Sequence, residues 1–344
     1  MKMKAAILVE QNKPLVIEEL EIPELLPGQV LVKIMASGIC HSQLNEIKGI
    51  KGPDKYLPHT LGHEGAGIVE KIGKDVTKVK PGDIVVITWI KGSGNDVPGA
   101  QYKRNDGSIV NSGAVSTFSD YSVISENRIV PVSSKMPFKE ASLLGCAIPT
   151  GAGIIKNMAK LQKDQSVVIL GMGGIGSSAL MYAASLGCKM IIAVDIVESK
   201  LSFAKQMGAT YGLNAKGGDI VAEIKKLTNG KGVDVAVECS GSRDAMEMAF
   251  NSLHNKGLAI IAGNLKHDAK ISINPFDLIV GKRMVGSWGG DTNPDSDIPF
   301  YVEKYLSGEL PLGKLITSEF RLENINEALT QLEKGQVVRA LINY

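Results

Sequence analysis

Short apolar runs separated by turn residues dominate the first part of the chain. Runs such as 30–34 and 84–87 are bounded by Pro27-Gly28 and by Pro81-Gly82-Asp83, which are turn signals. Frequent short strands with this punctuation are typical of all-β folds. Residues 1 to about 140 are therefore predicted to form a small β-barrel or sandwich.

The pattern changes at Gln165 to alternating strands and helices. Apolar runs of five or six residues, typical of buried strands, alternate with stretches in which apolar positions have helical spacing. The predicted strands are 166–170, 189–194, 233–237 and 258–262, and the predicted helices are 177–186, 219–227 and 242–253. Such alternation predicts a parallel sheet with helices on both faces. After about residue 289 the alternation fades, and the tail is expected to return to the first domain.

Residues 91–117 are polar and rich in glycine and asparagine. A loop of this length inside a domain is usually functional or a lobe of its own. It is a candidate cover for a substrate pocket, with Trp89, Ile90 and Trp288 as candidate lining residues. Its polar character allows a polyol or a sugar alcohol as substrate.

Length and composition set limits on the class of protein. A chain of 344 residues is too long for one ordinary core, so two domains are expected. The net charge of +2 makes nucleic acid an unlikely partner. The N-terminal apolar run 5–9 ends at Glu10, so neither a signal peptide nor a membrane span is predicted. Four cysteines are too few for a disulfide framework, and a cytoplasmic protein with free or metal-bound thiols is expected.

The glycine-rich stretch Gly171-Met172-Gly173-Gly174-Ile175-Gly176 follows a predicted strand and opens a predicted helix. This is the context of a turn that binds the pyrophosphate of a dinucleotide, although glycine turns also merely pack a helix against a strand. Asp195 ends the next strand, nineteen residues after Gly176. A carboxylate there accepts hydrogen bonds from the ribose hydroxyls and repels a 2′-phosphate, which favours NAD over NADP.

Cys40, the tripeptide Gly62-His63-Glu64 and Cys146 together offer two thiolates, an imidazole and a carboxylate. This set suits a zinc ion with a replaceable position. The candidates are far apart in the chain, with 23 residues from Cys40 to His63 and 83 from His63 to Cys146. Spacing alone does not separate ligands from buried packing residues.

The stretch Gly62-His63-Glu64-Gly65-Ala66-Gly67, continued by Gly73 and Val76, closely resembles the zinc signature of the medium-chain alcohol dehydrogenases. The resemblance extends from Cys40-His41-Ser42 to Arg339. It implies a zinc-dependent alcohol dehydrogenase of the medium-chain dehydrogenase/reductase family. The implied fold is α/β, with a GroES-like β-rich catalytic domain (1–147 and 290–344) and a Rossmann, doubly wound parallel-sheet coenzyme domain (148–289).

The resemblance also implies roles for individual residues. Cys40, His63 and Cys146 would be zinc ligands, and Glu64 a neighbour able to bind transiently. Ser42 matches the hydroxyl that receives the substrate proton. The remaining matches concern the coenzyme: His41 and Arg339 near the pyrophosphate, Thr150 near the nicotinamide, and Lys200 beside the adenosine ribose. An exposed lysine often has no such role, so Lys200 is equally open to being a solvated helix residue.

Three departures from the family pattern stand out. Gln43 replaces the aspartate that commonly orients the histidine ligand, which leaves that ligand less basic. Asn45 stands where some members have the last histidine of a proton relay. Residues 91–117 have no cysteine, whereas many relatives bind a structural zinc there through four cysteines. A single catalytic zinc, without a structural zinc, is therefore expected.

The implied reaction is the reversible oxidation of a primary or secondary alcohol, in which Ser42 accepts the proton and hydride passes to NAD. One alternative is a zinc-free NADPH quinone or enone reductase, which Asp195 and the ligand set disfavour. Another is a non-catalytic NAD-binding sensor, to which Gln43 gives some support. A homodimer or homotetramer is expected from resemblance, through pairing of sheet edges near 270–273.

Overall fold

The computed structural model describes residues 1–50, 52–266 and 268–344, which divide into two compact units. The first unit contains Met1–Ala147 and Asn293–Tyr344, and the second contains Ile148–Thr292. The chain thus leaves the first unit one residue after Cys146 and returns to it at Asn293. The sequence predicts this return at 290.

The strands of the first unit form a closed barrel and a mixed sheet. In chain order the strands are β1 Lys2–Leu8, β2 Val16–Glu21, β3 Gln29–Ile39, β4 His59–Thr60, β5 Glu64–Ile72, β6 Ile84–Thr88, β7 Gln101–Lys103, β8 Ile109–Ser112, β9 Tyr121–Ser125, β10 Ile129–Pro131, and, after the second unit, β17 Ile316–Arg321 and β18 Arg339–Asn343. The barrel order is β1-β2-β7-β8-β4, and the sheet order is β10-β6-β5-β3-β18-β17, with β9 also paired to β3.

The second unit is a parallel sheet of six strands, β11 Ser166–Leu170, β12 Met190–Asp195, β13 Tyr211–Asn214, β14 Val233–Glu238, β15 Leu253–Ile261 and β16 Arg283–Gly286. The strand order is β13-β12-β11-β14-β15-β16, and every pair is parallel. This is the order of a doubly wound fold, in which successive strands are added first on one side of β11 and then on the other. The predicted α/β fold class is confirmed.

Helices follow the strands in both units. They are α1 His41–Ile47, α2 Phe138–Leu143, α3 Ala147–Gly153, α4 Gly174–Ser185, α5 Glu198–Gln206, α6 Ile220–Leu227, α7 Arg243–Asn251, α8 Pro275–Ile279, α9 Pro294–Leu306 and α10 Ile325–Glu333. Across the described ranges, no helix combines the length and the apolar composition that crossing a membrane requires.

The core of the second unit lies between the sheet and its helices. Val168, Ile192 and Phe250 belong to one fully buried apolar cluster. Because β11 and β12 are buried on both faces, they read as continuous apolar runs in the sequence.

Residues 91–117 are neither one long loop nor a lobe of their own, so that part of the prediction is wrong, while their role as a cover for a substrate pocket stays a prediction. Their strands β7 and β8 help to close the barrel, where Tyr102 and Val110 are fully buried in a cluster with residues of β1. The Tyr102 hydroxyl also accepts a hydrogen bond from the Val123 amide at 3.0 Å. Long-range pairing therefore incorporates the stretch into the first unit.

The buried carboxylate of Glu126 fixes the first part of residues 91–117. Glu126 Oε1 accepts hydrogen bonds from the Thr77 and Lys78 amides, both at 2.6 Å, and Oε2 accepts them from the Asn95 amide and side chain, at 2.9 and 2.7 Å. Burial raises the pKa of Glu126, but these donors outweigh burial and the net pKa lies below its usual value. We call this arrangement the Glu126 clasp.

The place predicted for pairing between copies does not lie on a strand at the edge of the sheet. Residues 270–273 are not in a strand, and the sheet of the second unit ends at β16 (Arg283–Gly286), where Val285 is exposed. A further strand from another copy would have to add to β16 or to β13.

Candidate metal and coenzyme sites

Three side chains that are distant in sequence meet in the first unit. Cys40 follows the end of β3, His63 directly precedes β5, and Cys146 directly precedes α3. Their ligand atoms all lie within 4.8 Å of one another. The long buried strand β3, which pairs with three other strands, brings Cys40 to the end of β5 where His63 lies.

The cluster has the properties of a metal site. The buried Nε2 atom of His63 has no hydrogen-bond partner in the part of the chain that the structure describes. The neighbouring Cys146 side chain and, to a lesser degree, the His63 ring hold the pKa of the Cys40 thiol well below its ordinary value, although burial acts in the opposite direction. Two cysteine sulfurs and a histidine ring nitrogen are donors that zinc prefers. The residues present therefore fit a zinc ion.

Gln43 links two of these ligands. It is buried on α1, where its Oε1 accepts a hydrogen bond from the Cys40 amide at 2.8 Å and its Nε2 lies against His63 Nδ1. The same amide thus caps the helix and fixes the imidazole. Gln43 thus lies beside the His63 ring, where the sequence predicts it. Its side chain is neutral and makes contacts with both the Cys40 amide and the His63 ring.

Replacing Gln43 with leucine is expected to weaken zinc binding by 10- to 100-fold, the usual cost of losing a partner of a metal ligand. The Cys40 amide would lose its acceptor and the His63 ring its support. Competition with a chromogenic chelator measures the affinity. The Gln43→Glu variant keeps an acceptor for the Cys40 amide and should retain near wild-type affinity. Equal affinity of the leucine variant and the wild type would contradict this role.

Glu64 and Arg339 form an ion pair beside the ligands. Glu64 is fully buried at the start of β5, and Arg339, at the start of β18, is 3% exposed and pairs with its Oε1 atom. The other carboxylate oxygen accepts a hydrogen bond from the Ala147 amide at 3.2 Å. Gly38 makes room for this carboxylate, since a Cβ on Gly38 would clash with it. The predicted contact of Arg339 with a pyrophosphate stays a prediction.

The other residues predicted around the metal lie on α1 or near it. The Ser42 hydroxyl is 3.3 Å from His63 Nδ1, while the side chain of His41 is exposed.

The Trp89 ring packs edge-on against His63, with 6.4 Å between ring centroids. Trp89 and the buried Ile90 thus belong to the first unit, whereas Trp288, 81% exposed, belongs to the second.

The glycine turn of the second unit joins β11 to α4. Gly171 has a φ of +93°, and a Cβ there would approach the Ser240 amide nitrogen to 2.8 Å. Gly173 precedes the helix without a side-chain cap, and a Cβ at that position would meet no atom of the described chain within 4 Å beyond its neighbours. An uncapped helix N-terminus with open space above it is suited to a phosphate group.

Asp195 closes this turn from the end of β12. Its Oδ2 accepts a hydrogen bond from the Met172 amide at 2.7 Å, and its Oδ1 accepts one from the Val197 amide at 2.9 Å. Each carboxylate oxygen can accept a further hydrogen bond. Asp195 therefore both fixes the glycine turn and retains acceptor capacity for ribose hydroxyls.

Comparison with known proteins shows the family of the chain. Residues 26–134 match the family described as alcohol dehydrogenase GroES-like domain, and residues 174–304 match the family described as zinc-binding dehydrogenase. The chain is 33% identical over 371 residues to an S-(hydroxymethyl)glutathione dehydrogenase of Synechocystis, with all of both chains covered. The chain belongs to the zinc-type medium-chain alcohol dehydrogenase family. Members of this family are oxidoreductases that act on CH–OH groups and use zinc and NAD(H).

Other members of the family are similar over the whole length. Alcohol dehydrogenase 1 of Trifolium repens is 33% identical, covering 99% of this chain and 97% of that protein. The crystal structure of benzyl alcohol dehydrogenase from Acinetobacter calcoaceticus has a TM-score of 0.91 at 32% identity, covering 100% of this chain and 99% of that one. A zinc-binding domain protein from Burkholderia ambifaria has a TM-score of 0.93 at 30% identity, with the same coverage.

Two residues that the family resemblance assigns to the coenzyme lie in the second unit. The Thr150 hydroxyl on α3 is buried, and no partner for it occurs within the described residues. Lys200 is half-buried on the first turn of α5. The Thr150 hydroxyl can therefore hydrogen-bond to a coenzyme, and the roles of Thr150 and Lys200 stay predictions.

The sequence did not reveal two functional features of this zinc-type family member. One is the hydrogen bond from the Cys40 amide to Gln43, for which the signal was the position of Gln43 as the third residue of α1, typical of a capping box. The other is the Glu64–Arg339 pair, whose members are far apart in the chain and are joined only because β5 and β18 both flank β3.

Proposed function

We propose that this chain catalyses the reversible oxidation of a primary or secondary alcohol to an aldehyde or ketone, with one catalytic zinc and with NAD as hydride acceptor. The observation that carries the proposal is the cluster of Cys40, His63 and Cys146, with its buried, unpartnered His63 Nε2. The glycine turn and Asp195 in the second unit support the coenzyme part.

The roles of the residues follow from their contacts. Cys40, Cys146 and His63 would hold zinc, which when bound polarises the substrate oxygen and lowers the pKa of the alcohol. Gln43 would keep the His63 ring in its orientation. The Ser42 hydroxyl, both a donor and an acceptor, would take the substrate proton at Oγ. Glu64, held by Arg339, would remain a carboxylate neighbour able to bind the metal transiently.

The proposal is tested by NAD reduction with a panel of alcohols. The panel should include benzyl alcohol and S-(hydroxymethyl)glutathione, the substrates in the names of two similar proteins, together with simple polyols. The Trp89 ring beside His63 offers an apolar or stacking surface, which supports an aromatic alcohol. Absence of turnover with every alcohol and of bound zinc would instead favour a non-catalytic NAD-binding protein.

Replacing Asp195 with asparagine is expected to raise the ratio of kcat/KM for NADP to that for NAD at least about tenfold. The substitution removes the charge that repels a 2′-phosphate while it preserves the size of the side chain, and about 1.4 kcal/mol corresponds to tenfold. The control is Asp219→Asn, which removes one negative charge elsewhere in the second unit. Asp219 caps α6, and asparagine caps helices equally well, so this variant should leave the ratio unchanged. An unchanged ratio in the Asp195 variant would remove the support for NAD selectivity.

We also propose a homo-oligomer, a dimer or tetramer, in the cytoplasm. The exposed strand β16 at the edge of the parallel sheet supports pairing between copies, and the four cysteines free of disulfide bonds support a reducing location. Light scattering of the purified protein measures the oligomeric state.

A further inference from the structure

Glu238 is a buried acidic residue outside both candidate sites. It is the last residue of β14, which lies beside β11 in the parallel sheet, and it is fully buried. Its Oε1 atom accepts hydrogen bonds from the Ser240 amide and hydroxyl, both at 2.6 Å, and from the Gly241 amide at 2.8 Å. One oxygen atom therefore holds the turn that follows β14. We call residues 239–241 the carboxylate turn.

The other carboxylate oxygen of Glu238, Oε2, is buried and has no hydrogen-bond partner among the residues that the structure describes. It lies next to Gly263, where an added Cβ would approach it to 2.6 Å. A buried polar atom without a partner lowers stability and is uncommon in folded proteins, so its presence calls for another explanation. Because Oε2 is enclosed, a ligand does not contact it. Glu238 can then influence a ligand only through the carboxylate turn.

The carboxylate turn packs directly against the glycine turn between β11 and α4. The Cys239 amide donates a hydrogen bond to the Leu170 carbonyl oxygen at 2.8 Å, and Leu170 immediately precedes Gly171. A Cβ on Gly171 would lie 2.8 Å from the Ser240 amide nitrogen, the same amide that donates to Glu238. A change in the position of Ser240 would therefore displace the first residue of the glycine turn.

The carboxylate turn is equally close to the segment on its other side, which follows β15. A Cβ on Gly263 would lie 2.2 Å from the Gly241 amide nitrogen. Gly241 itself has a φ of +72°, and a Cβ there would lie 2.7 Å from the Asn264 carbonyl oxygen. Since β14 lies between β11 and β15 in the sheet, the carboxylate turn is confined between the glycine turn and the segment after β15.

We propose that Glu238 is a positioning residue for the coenzyme, an inference that rests on the proposed use of NAD. In doubly wound sheets, ligands bind at the carboxyl ends of the strands, where the strand order reverses. That point lies between β11 and β14, the two strands whose ends the carboxylate turn joins. By fixing Ser240, Glu238 holds Gly171 and the amides that follow it in the orientation that a phosphate group requires.

Titration of the full-length, zinc-loaded protein with NAD tests this role without depending on turnover. In Glu238→Leu the three donors lose their acceptor, and we expect the Kd for NAD to rise at least about tenfold. Zinc content should not change, because the metal cluster belongs to the other unit. Glu238→Gln keeps an acceptor oxygen for the carboxylate turn and should bind NAD within about threefold of the wild type.

The matched control is Asp234→Leu, at the other end of β14. Asp234 Oδ2 also accepts hydrogen bonds from the amide and the hydroxyl of one serine, Ser166, at 2.8 and 2.6 Å. Ser166 is the first residue of β11, so this contact lies at the amino-terminal edge of the sheet, away from the glycine turn. Asp234→Leu should therefore be less stable than the wild type and yet keep its affinity for NAD.

If Glu238→Leu does not fold, Ser240→Ala decides, because Ser240 is exposed and loses only its hydroxyl contact with Glu238. Its Kd for NAD should rise about fivefold, as expected for the loss of one hydrogen bond to a carboxylate. Unchanged affinity in the deciding variant, or an equal loss in Asp234→Leu, would overturn the positioning role and leave NAD as the coenzyme. Failure of the wild type to bind NAD would refute the proposed function, and this role with it.

Discussion

The His63→Ala variant is expected to lose about a thousandfold or more in kcat/KM for alcohol oxidation while it still binds NAD. His63 provides the bare Nε2 atom of the metal cluster, and without it the remaining thiols hold zinc poorly. Metal polarisation of the substrate oxygen contributes several kcal/mol, and about 4 kcal/mol corresponds to a thousandfold. Steady-state NADH formation measures the loss, and a binding titration measures the NAD affinity.

The fate of the metal separates this explanation from misfolding. Zinc content should fall in His63→Ala, while the glycine turn and Asp195, which belong to the other unit, continue to bind NAD. His254→Ala, a histidine substitution in the second unit, should leave turnover within about twofold of the wild type. Undiminished activity in His63→Ala, or in protein freed of metal, would refute a zinc-dependent reaction.

Replacing Arg339 with methionine is expected to lower the free energy of unfolding by about 3–5 kcal/mol. The substitution leaves the fully buried Glu64 carboxylate without its partner, and an uncompensated buried charge is costly. Denaturant unfolding of the zinc-loaded protein, followed by a probe in the first unit such as Trp89, measures the change. A change below about 1 kcal/mol would mean that the pair is not essential to the fold.

A double substitution tests the cause. In Glu64→Gln/Arg339→Met neither charge remains, so much of the lost stability should return. Lys48→Met removes one member of an exposed pair, Lys48–Glu333, and should cost at most about 1 kcal/mol. If the double variant is less stable than Arg339→Met, the ion pair is not the source of the effect.

The parallel sheet was the most predictable part of the fold. The run 166–170 coincides with β11, and 233–237 lies within β14, because strands buried on both faces are apolar throughout. The helix predicted at 177–186 begins earlier, at Gly174. The prediction left out Gly174 and Gly176 because glycine has a low helix propensity, yet both lie in the first turn of α4.

The first unit was harder to predict, because its pairings join distant segments. The strand predicted at 30–34 is the middle of β3, which continues to Ile39 through Ser37 and Gly38, residues without a strong strand signal. The pairing of β7 and β8 with the barrel depends on contacts such as that of Tyr102 with Val123, which no local pattern encodes.

The two candidate sites also differ in how far the sequence predicts them. The glycine turn is contiguous in sequence, so its place between strand and helix follows from local pattern. Cys40, His63 and Cys146 were recognisable only through resemblance, because the fold alone brings them within reach of each other. The roles of Gln43 and of Arg339 depend on hydrogen bonds and burial, which the sequence does not specify.

The Glu126 clasp has a consequence for how this protein responds to chemical stress. Four backbone and side-chain donors hold Thr77, Lys78 and Asn95 to one carboxylate, and no thiol takes part. Chelators and peroxides, which dismantle a cysteine-bound metal, have no target in this region. Loss of a metal from the Cys40–His63–Cys146 cluster should therefore leave the attachment of Thr77, Lys78 and Asn95 to Glu126 in place.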